Sequence, residues 1–436
     1  MPESGEGKLV RAIGRWSLAA LTINSIIGSG IFGLPSVVAR LLGAGSPIGV
    51  ILAGVAVGII VTCFAEVASR FTATGGPYLY ARAAFGRFVG IETGWLFWLT
   101  RISAPAANAN LFVVYLAEFW PHATGRWPRF LILTILIWGL AAVNIRGVKA
   151  GAQMSNAFTI AKLLPLFAIV LAGTWFLVAR HEAFAPKLVP VGFTTWLDAM
   201  LLLIFAYGGY ETALTPMAES RNPQRDSVFA LFVALGTCVL VYTLIQWVAV
   251  GILPDLAAST RPLADVARAI LDESGAVLIS IGALVALYGY LSANMLSVPR
   301  ITYAMAESGD FPAVFARVHA EFRTPYVSIL CFAFVTWILA LAGSFAWNVT
   351  LSSVARLFYY AVVCAALPVF RRRRASPARF SAPGGLGLAI LGVLICLTLI
   401  TRVDRSGLMV LIGTVILATA NWLWARTRRE PVIQNT

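Results

Sequence analysis

Two apolar runs of this chain are cut by glycine in matching places, and no other feature restricts its fold as much. Asn24-Ser25-Ile26-Ile27-Gly28-Ser29-Gly30-Ile31-Phe32-Gly33-Leu34-Pro35 interrupts the first run, and Phe205-Ala206-Tyr207-Gly208-Gly209-Tyr210-Glu211 interrupts another about 180 residues later. Inside a bilayer, a broken helix leaves main-chain N–H and C=O groups that hydrocarbon cannot satisfy, so something else must bind them. Two interruptions in equivalent positions of two halves are the best sequence pointer to the binding site of a membrane carrier. The groups they release suit a small zwitterion, with donors for its anionic end and acceptors for its cationic end.

Composition agrees with a bilayer setting. Of 436 residues, 59% are hydrophobic and only 12% are charged, more apolar content than a water-soluble core requires. Runs of ~20 apolar residues recur, each long enough to cross ~30 Å of hydrocarbon, and about twelve fall between Trp16 and Trp424. The expected spans cover 16–40, 46–70, 87–120, 129–146, 150–179, 196–218, 227–253, 275–307, 326–343, 349–370, 386–402 and 407–426. The fold class expected is therefore an all-α polytopic membrane protein. The first span starts on one side and the sixth on the other, so a repeat of five spans inverts its second copy. Gly28 precedes Pro35 by the same interval that Gly209 precedes Pro216, a faint echo between the copies. The organisation expected is a polar segment 1–15, a five-helix repeat 16–180, an inverted repeat 190–374, two further helices 384–426 and a tail 427–436.

The net charge of +14 could serve nucleic acid, but its placement argues against that partner. With the N-terminus in the cytoplasm, about 21 of the 33 Lys and Arg fall on inward loops, as the positive-inside rule requires. Both termini are then cytoplasmic, and Arg371-Arg372-Arg373-Arg374 is a stop-transfer run that meets anionic lipid. Residues 1–8 are polar with no small-residue cleavage site after them, so a removed signal peptide is not expected. The five cysteines stand singly in apolar runs and the three histidines fall in loops, which supports neither a metal site nor a cofactor.

Breaking the first span at Gly28-Ser29-Gly30 starts a new half-helix whose free amides and positive dipole end suit a carboxylate. The half-helix ending at Ile26 and Ile27 offers carbonyls to an ammonium, and Phe205, Ala206 and Tyr207 before Gly208 offer a second set. The plainer alternative is close packing of helices at small residues. Phe205 and Tyr207 flank the second break, where an aromatic ring could cap a substrate; lipid-facing or core packing is the competing role.

Lys162, eleven residues after Gly151, would lie ~17 Å deep. A cation there costs ~2.5–3.5 kcal/mol or more, which makes a functional role the default reading. Its ammonium could stand in for a coupling cation, exchanging a proton during a cycle. Glu211, just after the second break, is another candidate for proton exchange. Arg101 is also deep, but a guanidinium does not relay protons; it could pair with Glu211 or meet an acidic substrate. Glu66 and Arg356, nearer the span ends, could snorkel to an interface in structural roles.

At these residues the chain resembles the amino acid–polyamine–organocation (APC) superfamily of permeases. The resemblance covers nearly the whole length. It includes Ile27-Gly28-Ser29-Gly30-Ile31-Phe32 with Pro35, Cys63-Phe64-Ala65-Glu66, and Gly75-Gly76-Pro77-Tyr78-Leu79-Tyr80. Phe205 to Glu211, Ala218-Glu219-Ser220-Arg221-Asn222-Pro223, Pro299-Arg300-Ile301-Thr302-Tyr303-Ala304-Met305 and Asp310-Phe311-Pro312 complete it. It implies a leucine-transporter-like fold with alternating access, with Ser29, Gly30 and Ile31 amides on the substrate carboxylate. It also implies that Lys162 takes the place of a second sodium, as in sodium-independent members. In acid-resistance antiporters of the superfamily, a glutamate matching Glu211 is linked to protons and an aromatic matching Phe205 gates substrate. Ser220 departs from the second glutamate of many relatives, and Arg101 matches no general motif.

The function expected is secondary transport of amino acids, sodium-independent and either proton-coupled or exchanging, in the cytoplasmic membrane of a bacterial cell. The partners are then an amino acid, protons and membrane lipid. A cationic amino acid or polyamine antiporter is the rival within transport, and a substrate sensor without turnover is the rival outside it. A membrane-embedded enzyme would need a nucleophile or metal constellation at depth, which loop-bound histidines do not supply.

Overall fold

The period of the apolar residues decides the architecture. Along Ala152–Ala179 the exposed Leu164, Phe167, Leu171, Trp175 and Val178 recur at helical spacing, while Leu166 and Ile169 are buried. An apolar face turned outward over several helical turns, Leu164 to Val178, is what lipid, not water, solvates. The computed structural model describes residues 14–71, 76–146, 152–179, 190–214, 220, 222–373 and 378–427. Lys8, Arg11, Gly75, Lys149, Gly151, His181, Pro216, Ala218, Glu219, Arg221, Arg374, Arg428 and Arg429 lie outside the described residues.

Every regular element among the described residues is helical. In chain order these are α1 (Arg15–Ile26), α2 (Ser29–Leu42), α3 (Ser46–Ala68), α4 (Gly76–Phe85), α5 (Arg87–Leu116), α6 (Arg126–Ile145), α7 (Ala152–Ala179) and α8 (Phe193–Tyr207). There follow α9 (Pro223–Ile252), α10 (Pro262–Ser297), α11 (Pro299–Glu307), α12 (Tyr326–Ala342), α13 (Phe345–Arg373), α14 (Gly385–Ile400) and α15 (Arg405–Ala425). Helix α10 is bent at Leu271 and Asp272, whose dihedrals leave the helical region.

By length and composition, 7 helical stretches among the described residues can cross a membrane: Ser29–Ala68, Arg126–Ile145, Lys162–Ala179, Pro223–Ile252, Pro262–Glu307, Phe345–Arg373 and Arg405–Ala425. The helices Phe193–Tyr207, Tyr326–Ala342 and Gly385–Ile400 are apolar but shorter. Helix α5 is not in that set; Arg101, Asn108 and Asn110 are buried along it. The polytopic helical class therefore stands.

Helix α5 lies at the middle of the bundle, against α13, α10, α12, α15 and α4. Helix α9 packs on α1 and α3, and α2 packs on α8. Two charge clusters fasten one end of the assembly. Glu66 of α3 accepts two bonds from Arg371, at 2.8 and 2.6 Å, with others from the Ala382 amide (2.8 Å) and Arg70 (3.0 Å). Glu66 is thus fully buried within an ion cluster rather than snorkelling to an interface. Asp310, just beyond α11, accepts from Arg87 Nε at 2.8 Å and also from Arg82 and Tyr78. Asn421 of α15 donates to the Asp310 carbonyl at 2.7 Å. Buried carboxylates held by several donors in this way satisfy the demand that buried charge be paired.

Candidate functional site

Both glycine interruptions are real breaks in the helices. Helix α1 ends at Ile26; Ile27 is extended (φ −74°, ψ 92°), Gly28 is non-helical, and α2 begins at Ser29. Helix α8 ends at Tyr207, Gly208 is extended (φ −74°, ψ 157°), and a short 3-10 turn over Tyr210–Leu214 follows. Between them Gly209 adopts φ +114°, a conformation that side chains rarely tolerate.

The two breaks also meet. A Cβ added at Gly30 would lie 2.9 Å from the Ala206 Cα, and one added at Gly209 would collide with the Ser25 carbonyl. Close packing and helix breakage are therefore not alternatives here. The small residues bring the two interrupted backbones into contact, and the interruptions supply polar groups at the contact.

Protein side chains already engage several of those groups at the first break. Lys162 Nζ donates to the Asn24 carbonyl at 2.5 Å and to the Ile27 carbonyl at 2.8 Å. Tyr242 of α9 donates its hydroxyl to the Ile26 carbonyl at 3.2 Å. The Ser29 amide donates to Asn108 Oδ1 at 3.1 Å, while Asn108 Nδ2 donates to the Ala104 carbonyl at 2.8 Å. The Tyr290 ring covers Gly28, where a Cβ would come within 3.2 Å of it. Each carbonyl keeps a second lone pair, and the Gly30 and Ile31 amides belong to the first turn of α2, which has no intrahelical acceptor. The fully buried Ser29 hydroxyl has no hydrogen-bond partner among the described residues.

The second break is organised around Glu211. Its Oε1 accepts from the hydroxyls of Tyr359 (2.6 Å) and Tyr360 (2.7 Å), and its Oε2 accepts from the Gly209 amide (2.8 Å). Arg356 Nε stands 3.4 Å from the same carboxylate. The Arg356 guanidinium also faces the Ile204 and Phe205 carbonyls at 3.4 Å and fills the space beside Gly208 where a Cβ would go. Its side chain is only 3% exposed, so the expected reach to an interface is corrected. Helix α13 carries Arg356 inward, where the ends of α8 offer it carbonyls and a carboxylate.

Arg101 reaches the same cluster from α5. Its guanidinium carbon is 5.5 Å from the centre of the Phe97 ring, and that ring packs edge-on against Tyr359 at 5.4 Å. Among the described residues, Arg356 stands within ion-pair distance of Glu211, a pairing that sequence spacing did not reveal. Of the flanking aromatics, Phe205 is 7% exposed in the last turn of α8. Tyr207 is turned away into packing, with its hydroxyl on the Val50 carbonyl at 2.9 Å and its ring 5.4 Å from that of Tyr242.

Apart from Tyr207, the site residues expected from sequence lie around one junction of α1, α2, α7 and α8, with Arg101 approaching it from α5. Asn108, Tyr242, Tyr290, Tyr359 and Tyr360 join them without having been singled out. A polar side chain within an apolar run was the available signal for Asn108.

A family model described as amino acid permease matches residues 13–423. The chain belongs to that family. An uncharacterized transporter of Mycobacterium tuberculosis is 29% identical over 83% of this chain and 80% of its own length. The branched-chain amino acid permease of Bacillus subtilis is 25% identical over 95% of this chain and 93% of its own. Cationic amino acid transporter 4 of Mus musculus is 27% identical over 86% of this chain and 62% of its own. These permease relatives support amino acid transport, while the substrates in their names differ from one another. The family match spans both breaks and Lys162.

Proposed function

We propose that this chain is a secondary active transporter that moves amino acids across a bacterial cytoplasmic membrane by alternating access. The observation that carries the reading is the contact of two broken helices, with Gly30 against Ala206 and Gly209 against Ser25. In this reading the amino acid's carboxylate meets the Gly30 and Ile31 amides and the Ser29 hydroxyl. Its ammonium meets the remaining lone pairs on the Ile26, Ile27 and Ala206 carbonyls. The fold is read as leucine-transporter-like, with repeats at 16–180 and 190–374 and both termini cytoplasmic.

Lys162 supplies the positive charge that a bound sodium would otherwise bring to the first break. Transport is therefore sodium-independent and runs by proton coupling or exchange. Proton occupancy at Lys162 or Glu211 biases the balance between inward- and outward-open states, as any ligand with differential affinity does. Phe205, at the end of α8, closes over the substrate.

Purified protein in liposomes tests this. Labelled amino acids enter without sodium, and accumulation or counterflow follows an imposed proton gradient or an internal amino acid. Lys162→Ala loses accumulation while keeping some binding by thermal shift. Uptake that stays as concentrative as in the wild type refutes the coupling role, and absence of any amino acid flux refutes transport.

A further inference from the structure

Each break holds a positive side chain at the same place. Lys162 of α7 donates to the Asn24 and Ile27 carbonyls at the end of α1. Arg356 of α13 donates to the Ile204 and Phe205 carbonyls at the end of α8, both at 3.4 Å. Asn24 stands four residues before Gly28, and Ile204 stands four before Gly208. Lys162 follows its carbonyls by 138 and 135 residues, and Arg356 follows its own by 152 and 151. In the two-repeat reading above, the last helix of each repeat thus returns a cation to the break in its own first helix.

The chemistry fits the position. A helix C-terminus leaves carbonyls without amide partners and carries the negative end of the helix dipole, so a cation is stabilised there. Helix α8 ends in this way at Tyr207. Gly208 leaves the terminus open, because a Cβ there would fall on the Arg356 guanidinium. Arg356 also stands beside Glu211, which suggests a plainer role in charge balance alone. Its atoms divide the two tasks. Nε lies 3.4 Å from the Glu211 carboxylate and 3.3 Å from the Tyr359 hydroxyl, whereas Nη1 is the atom turned to the carbonyls.

We propose that Arg356 is the tethered cation of the second break, the counterpart of Lys162 at the first, and a positioning residue for transport. It holds the carbonyl end of α8 in its interrupted form, where an inorganic cation would otherwise be needed. The inference rests on the transport reading above and extends it from one break to both. A monovalent cation lodged there would draw on the same Ile204 and Phe205 carbonyls and the Glu211 carboxylate, the oxygen set that interrupted helices offer to coupling ions. With Arg356 in that place, neither break takes its positive charge from sodium or potassium. Arginine keeps its proton, so the charge at the second break is permanent.

The test compares full-length wild type with Arg356→Ala, Arg356→Lys and the double variant Arg356→Ala/Glu211→Gln, each in choline, sodium or methylguanidinium chloride. Thermal unfolding in detergent and liposome uptake of a mixture of labelled amino acids are the two readouts. Wild type should respond alike to all three salts. Uptake by Arg356→Ala should fall about 30-fold or more, the loss typical of truncating one member of a buried charge pair. Millimolar methylguanidinium should raise the Tm of that variant by about 2–4 °C and restore part of its uptake. Arg356→Lys, which keeps the charge, should retain more uptake than Arg356→Ala and ignore the added cation. In the double variant methylguanidinium should still raise Tm, because the carbonyls remain. A double variant that regains wild-type uptake and no longer responds shows that Arg356 only balances Glu211, which overturns the inference. So does an Arg356→Ala protein that matches wild type or that no cation improves. If Arg356→Ala does not survive purification, Arg356→Gln replaces it in every arm. If wild type moves no amino acid, the transport reading has failed, and the unfolding arm still decides whether the second break takes a cation.

Discussion

The first and second breaks solve the same physical problem with different chemistry. At the first, a lysine, a tyrosine and an asparagine each engage main-chain groups, and no carboxylate is present among these contacts. At the second, a carboxylate collects two tyrosines, one amide and an arginine. The first is thus a set of separable donors around exposed backbone, whereas the second is a closed network whose members depend on one another. Binding and release are easier to build on the first, and rigidity on the second, because partly satisfied networks carry high penalties.

Substitutions can break or sharpen that contrast. The largest loss of stability is expected from Glu211→Gln, which leaves the Arg356 guanidinium buried without its counter-charge at a cost of about 3–5 kcal/mol. Thermal unfolding in detergent measures it, and a variant as stable as wild type would show that the second break is not a closed network. Asn108→Ala should cost less, about 1–3 kcal/mol, by stranding the Ser29 amide; a loss equal to that of Glu211→Gln would erase the difference between the breaks. Tyr242→Phe removes one neutral bond to the Ile26 carbonyl and should cost only about 1 kcal/mol. If it destabilises most of the three, the contrast is reversed.

Much of the candidate site was legible because its signals are local. Gly28 and Gly208-Gly209 interrupt apolar runs, and Lys162 places a charge where hydrocarbon penalises it, so each is visible without knowing its neighbours. Partners were harder to read. Glu211 could be flagged, but its pairing with Arg356 depends on α13 lying beside the end of α8, which no spacing records. Arg356 looked like a residue near a span end because depth was judged from sequence distance alone. Tyr207 shows the same limit from the other side. Its position beside Gly208 suggested a cap, yet ring orientation follows from packing against α3 and α9.

The two further helices at the end of the chain are α14 and α15, and α15 is fastened along α5. Asn421 holds the Asp310 carbonyl, Thr419 donates to Glu92 at 2.7 Å, and Trp422 packs on Phe88 at 5.0 Å. During synthesis from the N-terminus, that corner must wait with Glu92 and Asp310 incompletely matched until α15 has emerged from the ribosome. Completion of the domain is therefore a late event, and a chain arrested before α15 would expose an unfinished seam to the quality-control machinery of the membrane.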